Sequence, residues 1–197
     1  MIEEKPKIRK KKRTIGYKDF VDFPLLKCRN VACKIDTGAY TSSIHCNQIK
    51  IIIDENKQEW LTFHLLDQLH PAYNETEFRT QSFKTKAVKS SNGEQEIRFL
   101  IVVVLRLFGR SFEAEFTLAD RGDMRFPVLL GRKLLTKRFS VDTARTNLSY
   151  KRKQRKKIEK KKAKTLAKKL EKATARATAR VAAQAVALAK KTDAGDK

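Results

Sequence analysis

No stretch of this chain is apolar for long enough to span a membrane, and the basic first residues are not followed by the apolar core of a secretory signal. There are only three cysteines, an odd number without a framework of spacings, so disulfides are not expected and a reducing, cytoplasmic setting is. The three histidines, His45, His64 and His70, form no His-Glu-x-x-His pattern. Cys28-x4-Cys33 and His64-x5-His70 come close to zinc-ligand spacing and keep a structural metal open. Against it, Cys33 stands on an apolar run, where a small buried thiol is the commoner role. His45 and Cys46 are neighbours, and neighbours on a strand face opposite sides, so they do not make a Cys-His pair. No cofactor and no catalytic metal are expected.

Negative charge is scarce at both ends. Of the net +23 over 197 residues, residues 1–13 carry seven Lys/Arg against two Glu, and residues 151–197 carry eighteen against four acids. The 137 residues between them hold twenty against sixteen and are nearly balanced. This divides the chain into a basic N-terminal arm (1–13), a globular domain (14–150) and a Lys/Arg/Ala-rich tail (151–197). The tail has no aromatic residue and no glycine or proline before Gly195, so it is expected to be helical or disordered. Leu166, Leu170, Ala173, Ala177, Val181 and Leu188 give it only a thin apolar stripe. Without aromatics it cannot stack on bases. Any nucleic acid or other polyanion would be held through its charge and without sequence preference.

What the middle of the chain does have is Asp36-Thr37-Gly38-Ala39 directly after the apolar run 31–35. Hydrolysing a peptide with water takes one carboxylate to accept a proton and one protonated carboxyl to donate to the scissile carbonyl. Two carboxyls about 3 Å apart share a single proton because both cannot ionise. Asp36 is half of such a site. Thr37 would offer a hydroxyl to a facing loop, and Gly38 lets a backbone N–H reach the carboxylate. There is no second Asp-Thr/Ser-Gly. Val141-Asp142-Thr143-Ala144 lacks the glycine and reads as a surface turn leading into the last strand. The second carboxyl must then come from a second subunit across a twofold axis, so a homodimer is expected.

Alternating or apolar stretches predict strands at residues 15–23, 31–35, 44–53, 59–65, 77–89, 94–108, 111–118, 127–130 and 139–141. Ser91-Asn92-Gly93 and Phe108-Gly109-Arg110 read as hairpin turns, and residues 131–136 as one short helix. The class is all-β, a small closed barrel. Residues 67–76 and the Asn92 hairpin are both candidates for a mobile cover over the cleft.

A second motif, Leu129-Leu130-Gly131-Arg132 after Pro127-Val128, resembles the strand and short helix that buttress the catalytic loop of retroviral proteases. Residues 34–45 and 117–132 together resemble a bacterial family that carries two names, the ATP-dependent zinc protease family and the retropepsin-like aspartic endopeptidase family. The likeness covers roughly residues 14–150. It implies a retropepsin fold, an aspartic endopeptidase with Asp36 as the catalytic residue, and Leu130, Gly131 and Arg132 as buttress. Some relatives sit beside ligases that add glutamate to proteins or peptides, which implies an acidic or ligase-made peptide as substrate. Tyr40 stands where viral enzymes carry an aspartate that pairs with the buttress arginine, so the partner of Arg132 is left open. No glycine-rich flap tip follows the loop. Ala39 is expected to line the cleft, and Tyr40, Thr41 and Arg79 to contact substrate; Arg121, Arg125 and Arg132 are alternatively structural ion-pair partners. The rival function is a non-catalytic peptide-binding dimer, docked on RNA or an anionic surface by its tail.

Overall fold

The computed structural model describes residues 12–89 and 95–192, with side chains described through Thr178. Ten strands and two helices follow in the order β1 (Arg13–Phe23), β2 (Cys28–Ile35), β3 (Ser42–Ile53), β4 (Glu59–Leu65), β5 (Glu77–Thr80), β6 (Phe83–Lys89), β7 (Gln95–Leu107), β8 (Arg110–Ala119), β9 (Val128–Leu130), α1 (Arg132–Leu135), β10 (Phe139–Thr146) and α2 (Leu148–Thr192). Two units, Met1–Lys153 and Gln154–Lys197, divide the chain.

Strand β7 shows why the first unit is built of strands. Ile101, Val103, Leu105 and Leu107 are buried while Val102 between them is exposed, the period-two alternation of a sheet with one face on a core. The strands run in the order β10-β1-β2-β9-β3-β8-β7-β6, and a bridge between Asp22 of β1 and Arg106 of β7 returns the sheet to its start. Six of them, β1, β2, β9, β3, β8 and β7, thus form a ring around a core that includes Phe23 packed edge-on to Phe116 at 5.5 Å. The all-β expectation stands. β4 and β5 extend from the far half of β3 as a small separate ladder.

The short strand β9 positions the site. It lies between β2 and β3, parallel to the first and antiparallel to the second. Consecutive strands β2 and β3 are therefore not paired with one another, and the six residues between them, 36–41, must pass across the end of β9. This is the seat of the Asp-Thr-Gly turn.

Two sequence expectations are corrected. Residues 77–89 are not one strand but two, β5 pairing with β4 and β6 with β7, interrupted at Gln81 and Ser82. Val141-Asp142-Thr143-Ala144 is not a turn before the last strand: it lies inside β10, which pairs parallel to β1 from Arg13↔Phe139 onward. The turn at Phe108-Gly109 joins β7 to β8 with both residues at positive φ, 53° and 76°, the geometry of a tight hairpin. The Ser91-Asn92-Gly93 turn lies outside the described residues.

Helix α2 begins against β1. Asp19 is buried, 1% exposed, and its carboxylate accepts the N–H groups of Ser149 at 2.7 Å and Tyr150 at 3.0 Å. These are first-turn donors that have no partner within the helix. The Ser149 hydroxyl stands 2.6 Å from the Phe108 N–H, and Tyr150 packs on Phe20 with ring centroids 4.7 Å apart. Lys153 donates to Asp22 and Asn30, at 2.6 Å and 2.8 Å. Burial raises the Asp19 carboxyl above its ordinary value, with the N–H groups of Ser149, Phe20 and Tyr150 pulling in the opposite direction.

Candidate active site

The loop from β2 to β3 is held from within and from below. Within it, Asp36 Oδ1 accepts the N–H groups of Gly38 at 2.9 Å and Ala39 at 3.1 Å, which fixes the carboxylate plane and leaves Oδ2 free, 4.0 Å from Lys34 Nζ. A Cβ on Gly38 would stand 3.3 Å from that Oδ1. From below, Asp36 N–H donates to Leu130 O at 3.0 Å, Arg132 N–H to Ala39 O at 2.8 Å and Lys133 N–H to Tyr40 O at 2.9 Å. The hydrogen bonds that join Leu130, Arg132 and Lys133 to the loop are therefore all between backbone groups.

Gly131 is the closest approach. A Cβ there would sit 2.6 Å from Thr41 O and 2.8 Å from Tyr40 O, distances no side chain tolerates, and its φ of −89° is open to any residue. The glycine is required for space and not for backbone freedom. Its N–H donates to the hydroxyl of Ser42, which is 1% exposed. Beneath the loop, Ser43 Oγ donates to Thr117 O and Thr117 Oγ1 to Ser42 O, each at 3.3 Å. These buried hydroxyls tie the loop to β8 as well as to β9, and only the polar run Thr41-Ser42-Ser43 at the head of β3 signals them in the sequence.

Thr37 and Gly38 are exposed and Asp36 and Ala39 half-buried, so the turn presents itself to solvent. Tyr40, 59% exposed, has the Lys86 ammonium over its ring at 5.2 Å and the Arg132 guanidinium at 6.0 Å. The partner of Arg132 that the sequence left open is thus the aromatic ring of Tyr40 itself. Lys86 also donates to Thr41 Oγ1 at 2.6 Å, which brings β6 to the loop. Residues 67–76, the other candidate cover, pack on the β1–β2 turn, where Asn74 Nδ2 donates to Leu26 O and Cys28 Sγ to Ala72 O. Arg79 stands apart. It lies on β5, stacks 4.0 Å from the Trp60 ring and approaches Asp54 at 3.9 Å.

Arg121 reaches the site from the β8–β9 connection. Its N–H donates to His45 Nδ1 at 2.8 Å and its Nε to Phe126 O at 3.3 Å, and its guanidinium feels both Asp36 and Arg98. Burial is the main cause that lowers the Arg121 pKa, with Arg98 adding to it and Asp36 opposing. His45, 3% exposed, turns its other nitrogen to Asp67 Oδ2 at 2.7 Å, a close contact rather than an aligned hydrogen bond. That contact leads the causes holding the Asp67 carboxyl below its usual range. Lys86, Arg121 and Arg132 make no ion pair among the described residues, so the loop carries more positive than negative charge. Arg125 lies over the Phe126 ring at 5.6 Å and away from these contacts.

Neither histidines nor cysteines assemble around the loop. All three thiols are free and buried, and burial pushes Cys28 up to about 11 and raises Cys33 and Cys46 well above the ordinary thiol value. Among the described residues no three His, Cys, Asp or Glu side chains converge as metal ligands.

An Asp-Thr-Gly turn crossing the end of a strand that continues into Leu-Gly-Arg and a short helix, all within a ring of β-strands, belongs to the retropepsin-like class. Comparison with known proteins agrees: the family described as RimB-like, retropepsin-like aspartic endopeptidase RimB, matches residues 14–152, and the chain belongs to it. Two curated relatives are both named probable alpha-L-glutamate ligase. That of Shewanella pealeana is 34% identical over 132 residues, and that of Desulfotalea psychrophila 33% identical over 137 residues. These matches take in 65% and 68% of this chain and 28% of each relative, so the chain spans under a third of the length of those proteins. Among solved structures, a Legionella pneumophila protein of unknown function, Lpg0085, superposes with a TM-score of 0.55 over 70% of this chain and 98% of its own, at 21% identity. At that identity the likeness concerns the fold.

Proposed function

We propose that this chain is a homodimeric aspartic endopeptidase in which Asp36 of each subunit, brought face to face, activates one water molecule. The carrying observation is the braced loop: Asp36 Oδ1 is fixed by two backbone N–H groups, and Leu130, Gly131 and Arg132 hold the loop by main-chain contacts. Such preorganisation costs no rearrangement at the moment of reaction. In the dimer the two carboxyls share a proton, one taking a proton from water as it attacks, the other protonating the carbonyl oxygen. Thr37, exposed at the tip, offers its hydroxyl across the twofold axis. Ala39, Tyr40 and Thr41 line the approach. The three free thiols are consistent with work in the cytoplasm.

The substrate is an acidic peptide. Lys86, Arg121 and Arg132 surround the loop without carboxylate partners, so a glutamate-rich chain would meet cations already in place. The name of the two relatives, probable alpha-L-glutamate ligase, supports glutamate as the chemistry that the site meets. Glutamate-rich and lysine-rich peptides incubated with wild-type protein and with Asp36→Asn, and followed by mass spectrometry, test this. Cleavage of the acidic peptide by the wild type alone is expected. Equal cleavage by Asp36→Asn, or none by either protein while the peptide stays bound, would replace the enzyme with the binding module.

A further inference from the structure

From Gln154 to Thr192 the chain is helical, and its side chains from Arg155 through Thr178 are exposed. Residues 154–178 contain eleven Lys and Arg and two Glu, and none of them makes an ion pair among the described residues. At about 100° per residue these cations can be placed around the axis. Lys157, Lys160, Lys164 and Lys168 fall on one flank, and Arg155, Lys162, Lys169 and Arg176 on another roughly 145° round from it, with Lys161 and Lys172 between them. All the cations but Lys156 thus occupy one broad arc of about 220°. The remaining side holds a narrow strip of Ala163, Leu166, Leu170, Ala173 and Ala177, interrupted by Glu159.

That distribution discriminates among polyanions. An anionic membrane is flat and meets one side of a rod, and a helix that lies on it buries a broad apolar face of Leu, Phe and Trp. Here the strip offers two leucines, Leu166 and Leu170, and no aromatic. A second copy of the helix would set like charges against like along that strip. Single-stranded nucleic acid is gripped by stacking on aromatic side chains, which are lacking. A partner with phosphates on two walls answers to cations on two flanks. The major groove of B-form DNA is such a partner, since it is about 12 Å wide against a helix diameter of about 10–12 Å. The major groove of duplex RNA is too narrow.

We infer that residues 154–178 are a nucleic-acid-binding arm that lies in the major groove of double-stranded DNA, held by phosphates on both walls and indifferent to base sequence. Counterions released from the phosphates drive the association, so it weakens steeply with salt.

The test uses the full chain and a fluorescent DNA duplex of about 20 base pairs, longer than the roughly 37 Å that the helix segment spans. Anisotropy is measured across salt concentrations for wild type and two variants. One carries Lys157→Gln, Lys160→Gln, Lys164→Gln and Lys168→Gln; the other carries Arg155→Gln, Lys162→Gln, Lys169→Gln and Arg176→Gln. Glutamine keeps helix propensity, and circular dichroism verifies that the helix content is retained. For the wild type the logarithm of affinity is expected to fall with that of salt at a slope of about −5 or steeper. Each variant should lose roughly three units of that slope, to a similar extent. Random-sequence duplexes should bind alike. Loss in only one of the two variants would overturn the two-walled seat. So would tighter binding, at equal salt, to duplex RNA, to single-stranded DNA of the same length, to phosphatidylserine vesicles or to poly-glutamate.

Discussion

Replacing Gly131 by alanine adds one methyl group at the point where the buttress meets the Asp36 loop. The new Cβ would stand 2.6 Å from Thr41 O, 2.7 Å from Thr41 C and 2.8 Å from Tyr40 O. All three are main-chain atoms, so no side chain can swing aside. To reach ordinary contact, loop and buttress must separate by nearly 1 Å, which stretches the hydrogen bonds from Arg132 N–H to Ala39 O and from Lys133 N–H to Tyr40 O. Overpacking of this kind costs about 1–3 kcal/mol, and in a protein of this size that lowers the melting temperature by roughly 2–12 °C. The effect on hydrolysis is larger in proportion, because displacing a catalytic group by about 1 Å can cost on the order of 100-fold in rate. Gly109→Ala is the control. Nothing lies within 4 Å of its added Cβ, but its φ of +76° strains any L residue, so it should cost about 1–2 kcal/mol and leave hydrolysis unchanged. Urea denaturation and kcat/KM on an acidic peptide are measured for both variants. If Gly131→Ala retains wild-type kcat/KM, or loses no more of it than Gly109→Ala, the buttress does not set the geometry of Asp36.

Asp19→Ala strips the partner from the Ser149 and Tyr150 N–H groups and should destabilise the domain by about 2–3 kcal/mol, read from the urea midpoint. Because burial holds the Asp19 carboxyl above its ordinary value, the folded state keeps a proton that the unfolded chain has already released; Asp19 therefore contributes a loss of stability as pH rises from about 4 through its raised value. Asp19→Asn should remove that slope, and an unchanged pH profile would count against the burial argument. Lys86→Met removes the donor to Thr41 and the cation over Tyr40, so KM for a glutamate-rich peptide should rise about tenfold, equivalent to roughly 1.4 kcal/mol, with less change for a neutral peptide. With their thiols buried and their pKa values raised, Cys28, Cys33 and Cys46 should resist alkylation at neutral pH until urea is added, as mass spectrometry would show.

The features legible in the sequence are those whose chemistry is local. The apolar strand before Gly131 and the helix after it lie within a few residues, so they read as a strand passing into a short helix, and the resemblance to the retroviral buttress implied the rest. The strands with one buried face declare themselves by alternation, as β7 does. Val141-Asp142-Thr143-Ala144 escaped that reading because β10 is mostly exposed or half-buried and borrows its strand character from β1. Asp19 sits in an alternating strand where an acid is expected to face water; nothing nearby in sequence announces that the first turn of a helix some 130 residues on will cover it. Lys86 reaches Thr41 only because β6 folds back along β7, and the cations around the loop come from three separate segments. Such convergence depends on register and closure, which residue patterns do not encode singly.

The central claim is that two Asp36 side chains from two subunits make one site, and subunit mixing tests it most directly. Wild-type protein is combined with increasing proportions of Asp36→Asn, allowed to exchange subunits, and assayed on an acidic peptide at fixed total concentration. Activity is expected to fall as the square of the wild-type fraction, since only dimers with two aspartates hydrolyse the peptide. A fall in simple proportion to that fraction would mean that one Asp36 suffices, and would contradict the shared site.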